Sequence, residues 1–210
     1  MPSPARGLSQ PQRVEISGRR LVEAAAALIV EKGWEATTAA EIGRRAGYSR
    51  AMVHARYGSK DAILDAFFLH EYVRELSPEP DPASSGLDEA VGHFDRVRHL
   101  FSEDREFLRA MFVATFEAVK TTSPLRPRVQ AWLNRGIDKV EAGLRRGVAD
   151  GSVRPETDID RATGDLSAAV FGSAYLWIVG DRGYDLDREL LYIRDRFIRD
   201  YGAPAGAPAR

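Results

Sequence analysis

Four histidines, His54, His70, His93 and His99, are the side chains most suited to proton transfer or metal binding, and their spacing fits neither. His93 and His99 stand six apart, on different faces of any helix, so they do not make a shared metal site. No Ser/His/Asp set, glycine-rich phosphate loop or His-Glu-x-x-His run occurs. Cysteine is absent, which excludes disulfides and thiolate-held zinc. An enzyme is therefore not expected, nor is a cofactor or a metal. The spacing that does support chemistry lies between Ser49 and Lys60. An arginine early in a helix, as Arg50 would be behind a Ser49 cap, can bond bidentately to guanine O6 and N7, worth about 1–3 kcal/mol of discrimination. It can equally hold a phosphate, where most contacts to DNA go. Met52, two residues on, suits a thymine methyl. Lys60 follows Ser59 among the free amides of a helix start, a natural place for a phosphate.

These side chains need helices to carry them, and the stretch from Thr37 to Leu64 supplies them. Thr38 and Glu41 have the spacing of a capping box. Ile42 and Ala46, four apart, give that short helix one buried face. Gly47 stands where a helix ends in a left-handed residue, and Ser49 caps the next helix. Val53 and Tyr57 are four apart and point inward, leaving Arg50 and Met52 outward. This is the pattern of a helix-turn-helix whose second helix can lie in a major groove. Gly43, poor in a helix, fits a place where the two helices pass closely.

Gly47-Tyr48-Ser49, Val53, Tyr57 and Ser59-Lys60-Asp61 with Ile63-Leu64, preceded by Gly33-Trp34 and Thr37-Thr38, resemble the operator-binding signature of the TetR family of transcriptional regulators. The resemblance covers roughly residues 13 to 64. Gly43 stands where the family usually has Ala, Ala51 where Gly is common, and His54 where Tyr is frequent. The resemblance implies that Thr38, Ser49, Arg50, Met52, His54, Arg56 and Lys60 contact DNA, with Thr38, His54, Arg56 and Lys60 at positions where relatives clamp phosphates. It implies a sequence-specific, cytoplasmic regulator, a repressor released from a palindromic operator by a small apolar or amphipathic effector. An activator, or a helical partner-binding regulator with no small-molecule effector, is the alternative.

Charge agrees with contact at one end. From Arg13 to Lys60 nine basic residues oppose five acidic ones, and residues 61–210 carry a compensating −6 within a net charge of −1. A basic head on an acidic body suits a protein that meets phosphate on one face. No apolar run reads as a membrane span, and the first residues lack the apolar core of a signal peptide.

The expected fold is all-α, with about nine helices in two parts: a three-helix DNA-binding head (13–60) and a helical effector-binding and dimerisation body (61–202). Residues 1–12, with three prolines, read as a disordered arm whose Arg6 is either a plain tail residue or a minor-groove contact. Residues 203–210 read as a tail. The first helix runs from near Val14 or Ile16 to Lys32, with Leu21, Ala24, Ala25, Leu28 and Ile29 as its buried stripe and Trp34 as a core plug. The fourth spans Ser59 to about Leu76 and ends at a proline-rich loop, 77–86. Five more follow: Leu87 to about Phe101, Ser102 to Lys120, a helix opened by Ser123-Pro124 and stopped by Gly151, one capped near Asp158 and running to Val179, and Leu186 to Tyr201.

In similar proteins helices four to seven enclose an effector cavity. The aromatics and few polar groups of this body make Phe68, His93, Phe94, Met111, Phe112, Thr115, Phe116, Trp132 and Tyr175 the candidates to line one. Relatives also pair through their last two helices. Gly164, Ala168 and Gly172 at four-residue spacing, and the stripe Leu186, Leu190, Ile193, Phe197 and Tyr201, make residues 158–201 the expected homodimer seam. Two heads would then read half-sites about 34 Å apart.

Overall fold

The computed structural model describes residues 9–66, 81, 83–180 and 183–204. Among these it has nine α-helices and no strand beyond an isolated bridge. They are α1 (Gln10–Lys32), α2 (Ala39–Arg45), α3 (Arg50–Tyr57), α4 (Lys60–Ala66), α5 (Gly86–Glu103), α6 (Arg105–Glu117), α7 (Arg126–Asp150), α8 (Ile159–Val179) and α9 (Leu186–Tyr201). Arg6, His70, Phe67, Phe68 and the stretch read as the rest of the fourth helix, to Leu76, lie outside the described residues.

Most helix starts follow from local chemistry. Thr38 and Glu41 form the expected reciprocal box, and Ser49 caps α3 by accepting from the Met52 amide. Asp158 and Asp185 cap α8 and α9 in the same way. Three boundaries depart from the sequence reading. Helix α1 begins at Gln10, because Ser9 and Gln12 build a second capping box with Pro11 in the first turn, so the helix takes in the end of the expected arm. Asp104 leaves the helical region at φ −144° and both ends α5 and caps α6, which starts α6 at Arg105 rather than Ser102. Ser123-Pro124 forms a turn ahead of α7, and the proline in the helix's first turn is Pro127.

The head is closed by Leu21, Ile29, Trp34, Ile42, Val53, Ile63 and Leu64, all essentially inaccessible. In the body, α5 packs chiefly on α7, and α9 packs on α5 and α8. Helix α1 has its largest contact with α6, ahead of α2 and α4, so the head's first helix is shared with the body. The end of α9 is fastened to the α7–α8 turn: Val153 bridges Gly202, Ala203 N–H donates to Ser152 O at 2.9 Å, and the Arg154 guanidinium donates to the Gly202 and Arg199 carbonyls. Residues 202 and 203 thus belong to the folded body.

Two sequence expectations about the outer helices need correction. Leu186, Leu190 and Phe197 face into the chain's own core, with Ile193 and Tyr201 packed beside them, so that stripe is spent within the protomer. The apolar side chains α9 turns outward are Leu191 and Tyr192. Helix α8 is by itself long and apolar enough to cross a membrane, but 39% of that stretch is buried inside the protein.

Candidate nucleic-acid interface and ligand cavity

The turn between α2 and α3 is tight. Tyr48 N–H donates to Gly43 O at 2.7 Å, and a Cβ on Gly43 would stand 2.9 Å from Ser49 O. Gly43 is therefore where the two helices pass closely, and even alanine would push the cap of α3 away. Gly47 takes φ 79°, the left-handed residue that ends α2. Val53 is fully buried, and Tyr57 Oη donates to the Gly18 carbonyl at 3.3 Å, fixing α3 on α1.

Most of the head's basic residues are already engaged. Lys32 pairs with Glu41 at 2.6 Å, Arg45 with Glu31 at 2.5 Å, and Arg19 with Glu23 at 3.7 Å. The Lys32 ammonium and the Thr38 hydroxyl together hold the Glu41 carboxyl down to about 2. The Arg56 guanidinium donates to Ser17 Oγ at 2.7 Å. Lys60 turns inward: its ammonium donates to the carbonyls of Trp34 (2.9 Å) and Thr37 (2.8 Å) and sits 4.6 Å from the Trp34 ring centre. Burial pushes that ammonium below the ordinary lysine value. Arg44 and Arg50, like Arg13 and Arg20 of α1, are exposed with no carboxylate partner among the described residues; Arg44 lies at the end of α2 and Arg50 at the start of α3. They flank the turn like two prongs. Sequence reasoning passed over Arg44, although its place in the last turn of α2 was legible.

Of the other residues expected to meet DNA, Ser49 is spent as a cap, and Thr38 shares its hydroxyl with Glu41. Both remain exposed, as do Met52 and His54, whose Nδ1 lies 2.8 Å from Gly58 O. Arg56 and Lys60 are half-buried.

The body holds a cavity of about 520 Å³ between the end of α6, the start of α7 and α8. Thr115, Phe116, Ala118 and Val119 line it from α6 and the residues just beyond. Arg126, Val129, Gln130 and Leu133 line it from α7, and Phe171 from α8. A second void of about 30 Å³ lies beside it, touched by His93 and Trp132, with Leu133 and Phe171 as walls common to both.

Of the expected lining, Thr115 and Phe116 meet the larger space and His93 and Trp132 the smaller. Phe94, Met111 and Phe112 do not line either one: they are core, Phe94 edge-on to Phe197 and Phe112 against Phe116 and Phe171. Tyr175 lies on the outer surface at 52% exposure with its ring edge toward Phe116. Phe68 is outside the described residues. Arg126, Gln130 and Phe171 went unnoticed in the sequence, because only the crossing of three helices brings them together.

Two polar links join head to body beside this cavity. The Glu117 carboxylate, at the end of α6, accepts from the Trp34 amide at 2.7 Å and the Glu35 amide at 3.0 Å. Arg128 of α7 grips Asp65 of α4 at 2.5 and 3.4 Å. Glu117 falls between lining residues Phe116 and Ala118, and Arg128 between Arg126 and Val129.

Residues 21–67 match the bacterial regulatory proteins of the tetR family. Along most of its length the chain is 26% identical over 188 residues to YdeS of Bacillus subtilis, an uncharacterized HTH-type transcriptional regulator, covering 90% of this chain and 87% of YdeS. It is also 26% identical over 192 residues to the HTH-type transcriptional repressor KstR2 of Mycolicibacterium smegmatis, covering 76% of this chain and 86% of KstR2. Among solved structures, SmeT, the repressor of the Stenotrophomonas maltophilia multidrug efflux pump SmeDEF, superposes with a TM-score of 0.69 at 24% identity, over 91% of this chain and 93% of SmeT. The SmeT–triclosan complex superposes with a TM-score of 0.72. Residues 21–67 thus carry the tetR-family helix-turn-helix in the head, within an all-helical chain that is similar along most of its length to HTH-type transcriptional regulators.

Proposed function

We propose that the protein is a homodimeric repressor that holds a palindromic operator through Arg44, Arg50 and Met52 and is released by a small molecule bound between α6, α7 and α8. The observation that carries the DNA reading is the pair of arginines at the α2–α3 turn with no carboxylate partner among the described residues, in a head whose other turn-side cations are paired with its own carboxylates, hydroxyls or carbonyls. KstR2 and SmeT are named as repressors, and SmeT is known in complex with triclosan, which supports repression and a ligand-responsive body.

The cavity suits an effector because its walls also carry the head–body links. A ligand that pushes on Phe116 or Val119 moves the helix end whose Glu117 anchors the turn before α2. One that spreads the start of α7 pulls on Asp65 through Arg128. Such a ligand releases DNA only by binding the displaced arrangement more tightly than the DNA-bound one.

Dimerisation is supported by the outer face of α8. Gly164, Ala168 and Gly172 are exposed, with nothing within 4 Å of a Cβ placed on either glycine, and Tyr175, Leu176 and Val179 continue the face. The test is DNA selection from a random pool followed by titration at several salt concentrations. Recovery of an inverted repeat is expected, together with a loss of salt slope of about 0.9 for each phosphate contact removed by Arg44→Ala or Arg50→Ala. If both variants bind with the wild-type slope and preference, the assignment of the interface falls.

A further inference from the structure

The larger cavity carries a charge that its use as a pocket must answer. Its described walls are mostly apolar, and they hold one cation, Arg126, and no carboxylate. Arg126 donates from Nη1 to the Val119 carbonyl at 3.1 Å and has no acidic partner among the described residues, whereas Arg128, two residues on, is bonded to Asp65. A guanidinium has five N–H donors, so most of Arg126's capacity remains for a guest. Helix α7 also starts at Arg126 without a side-chain cap, which adds the positive end of a 25-residue helix to the same rim. Along α7 the lining then turns apolar, through Val129 to Leu133, and Leu133 lies about 10 Å from Arg126 at 1.5 Å per residue. Phe171 of α8 lines the same space.

We infer that the effector is an amphipathic anion, with a carboxylate or similar oxyanion on Arg126 and an apolar body lying along α7 toward Leu133 and Phe171. This rests on reading the cavity as an effector site. A neutral apolar molecule of the same length fills the same walls but leaves the guanidinium without a counter-charge, and an amine is repelled by it. Charge-assisted hydrogen bonds are the stronger kind, so the head group, more than the tail, sets the preference.

The test is calorimetric titration of the full-length protein with decanoate, decan-1-ol and decylamine, each below its micelle-forming concentration. Arg126→Gln is run alongside, with its helical circular dichroism checked against wild type. Decanoate is expected to bind about tenfold tighter than the alcohol, with the amine weakest. In Arg126→Gln, decanoate should fall to the level of the alcohol while the alcohol is unchanged. Alcohol or amine binding as tightly as decanoate would overturn the anion assignment and leave the cavity's use as an effector site standing. A preference for decanoate that survives Arg126→Gln would overturn the role of Arg126. No binding by any of the three would remove both this inference and the cavity reading beneath it.

Discussion

Lys60 shows how one side chain's geometry redirects a functional reading. The resemblance gives it a phosphate, and the structure gives it two backbone carbonyls and an indole face. As a positioning residue it sets the angle between α4 and the turn before α2. Lys60→Met should therefore lower stability by about 1–3 kcal/mol through the unpaired carbonyls, a fall of several degrees in Tm. The salt slope of DNA binding should stay at the wild-type value, whereas removal of a phosphate contact would reduce it. Glu41 makes a pH prediction of definite sign. Its carboxyl is held at about 2 against an ordinary value of 4.5, so its contribution is complete above pH 4.5 and drains away as pH falls toward 2. Melting followed from pH 6 to 2 should show the head weakening across that window, and Glu41→Gln should be weaker at neutral pH with a flatter acid limb.

At the level of elements, α5 and α7 approach each other closely in the body. A Cβ on Gly86 would stand 2.0 Å from Gly147 N and 2.4 Å from Gly143 O, so the two helices touch backbone to backbone. Gly86→Ala should cost about 3 kcal/mol or more by forcing them apart, measurable by urea unfolding. This crossing also marks what a sequence discloses. Helix starts were readable because Thr38 with Glu41, Ser49 and Asp158 each act within three residues of themselves. The inward facing of Val53 and Ile42 was readable from four-residue spacing, and so was the outward facing of Arg50. Gly86 with Gly147 was not, since neither glycine signals the other across 61 positions of chain. Lys60's inward turn and the meeting of Arg126 with Phe171 depended in the same way on helices placed by the whole core. The stripe on α9 misled for a related reason: periodicity says which face is apolar, but not whether the chain's own helices or a second copy covers it.

Across the whole molecule, the proposed dimer works by spacing two heads, with the outer face of α8 as its seam. Gly172→Arg is a clean probe because nothing in the protomer lies within 4 Å of its Cβ. Replacing a mid-helix glycine should also raise helix propensity by up to about 1 kcal/mol. The variant should fold, run as a single protomer by light scattering, and lose affinity for a palindrome far more than for one half-site. A dimer that persists in Gly172→Arg would move the seam elsewhere.

The carboxylate at the end of α6 also bears on protein engineering. Regulators of this architecture invite part-swapping, in which one chain's reading head is grafted onto another's sensor. Here the graft point is not the end of α4. A hybrid joining residues 1–66 to a foreign body would strand the amides of Trp34 and Glu35, which in this chain are received by Glu117, unless the recipient's sixth helix also closed on an acid. With any other recipient, a working hybrid must bring the last turn of that helix along with the head.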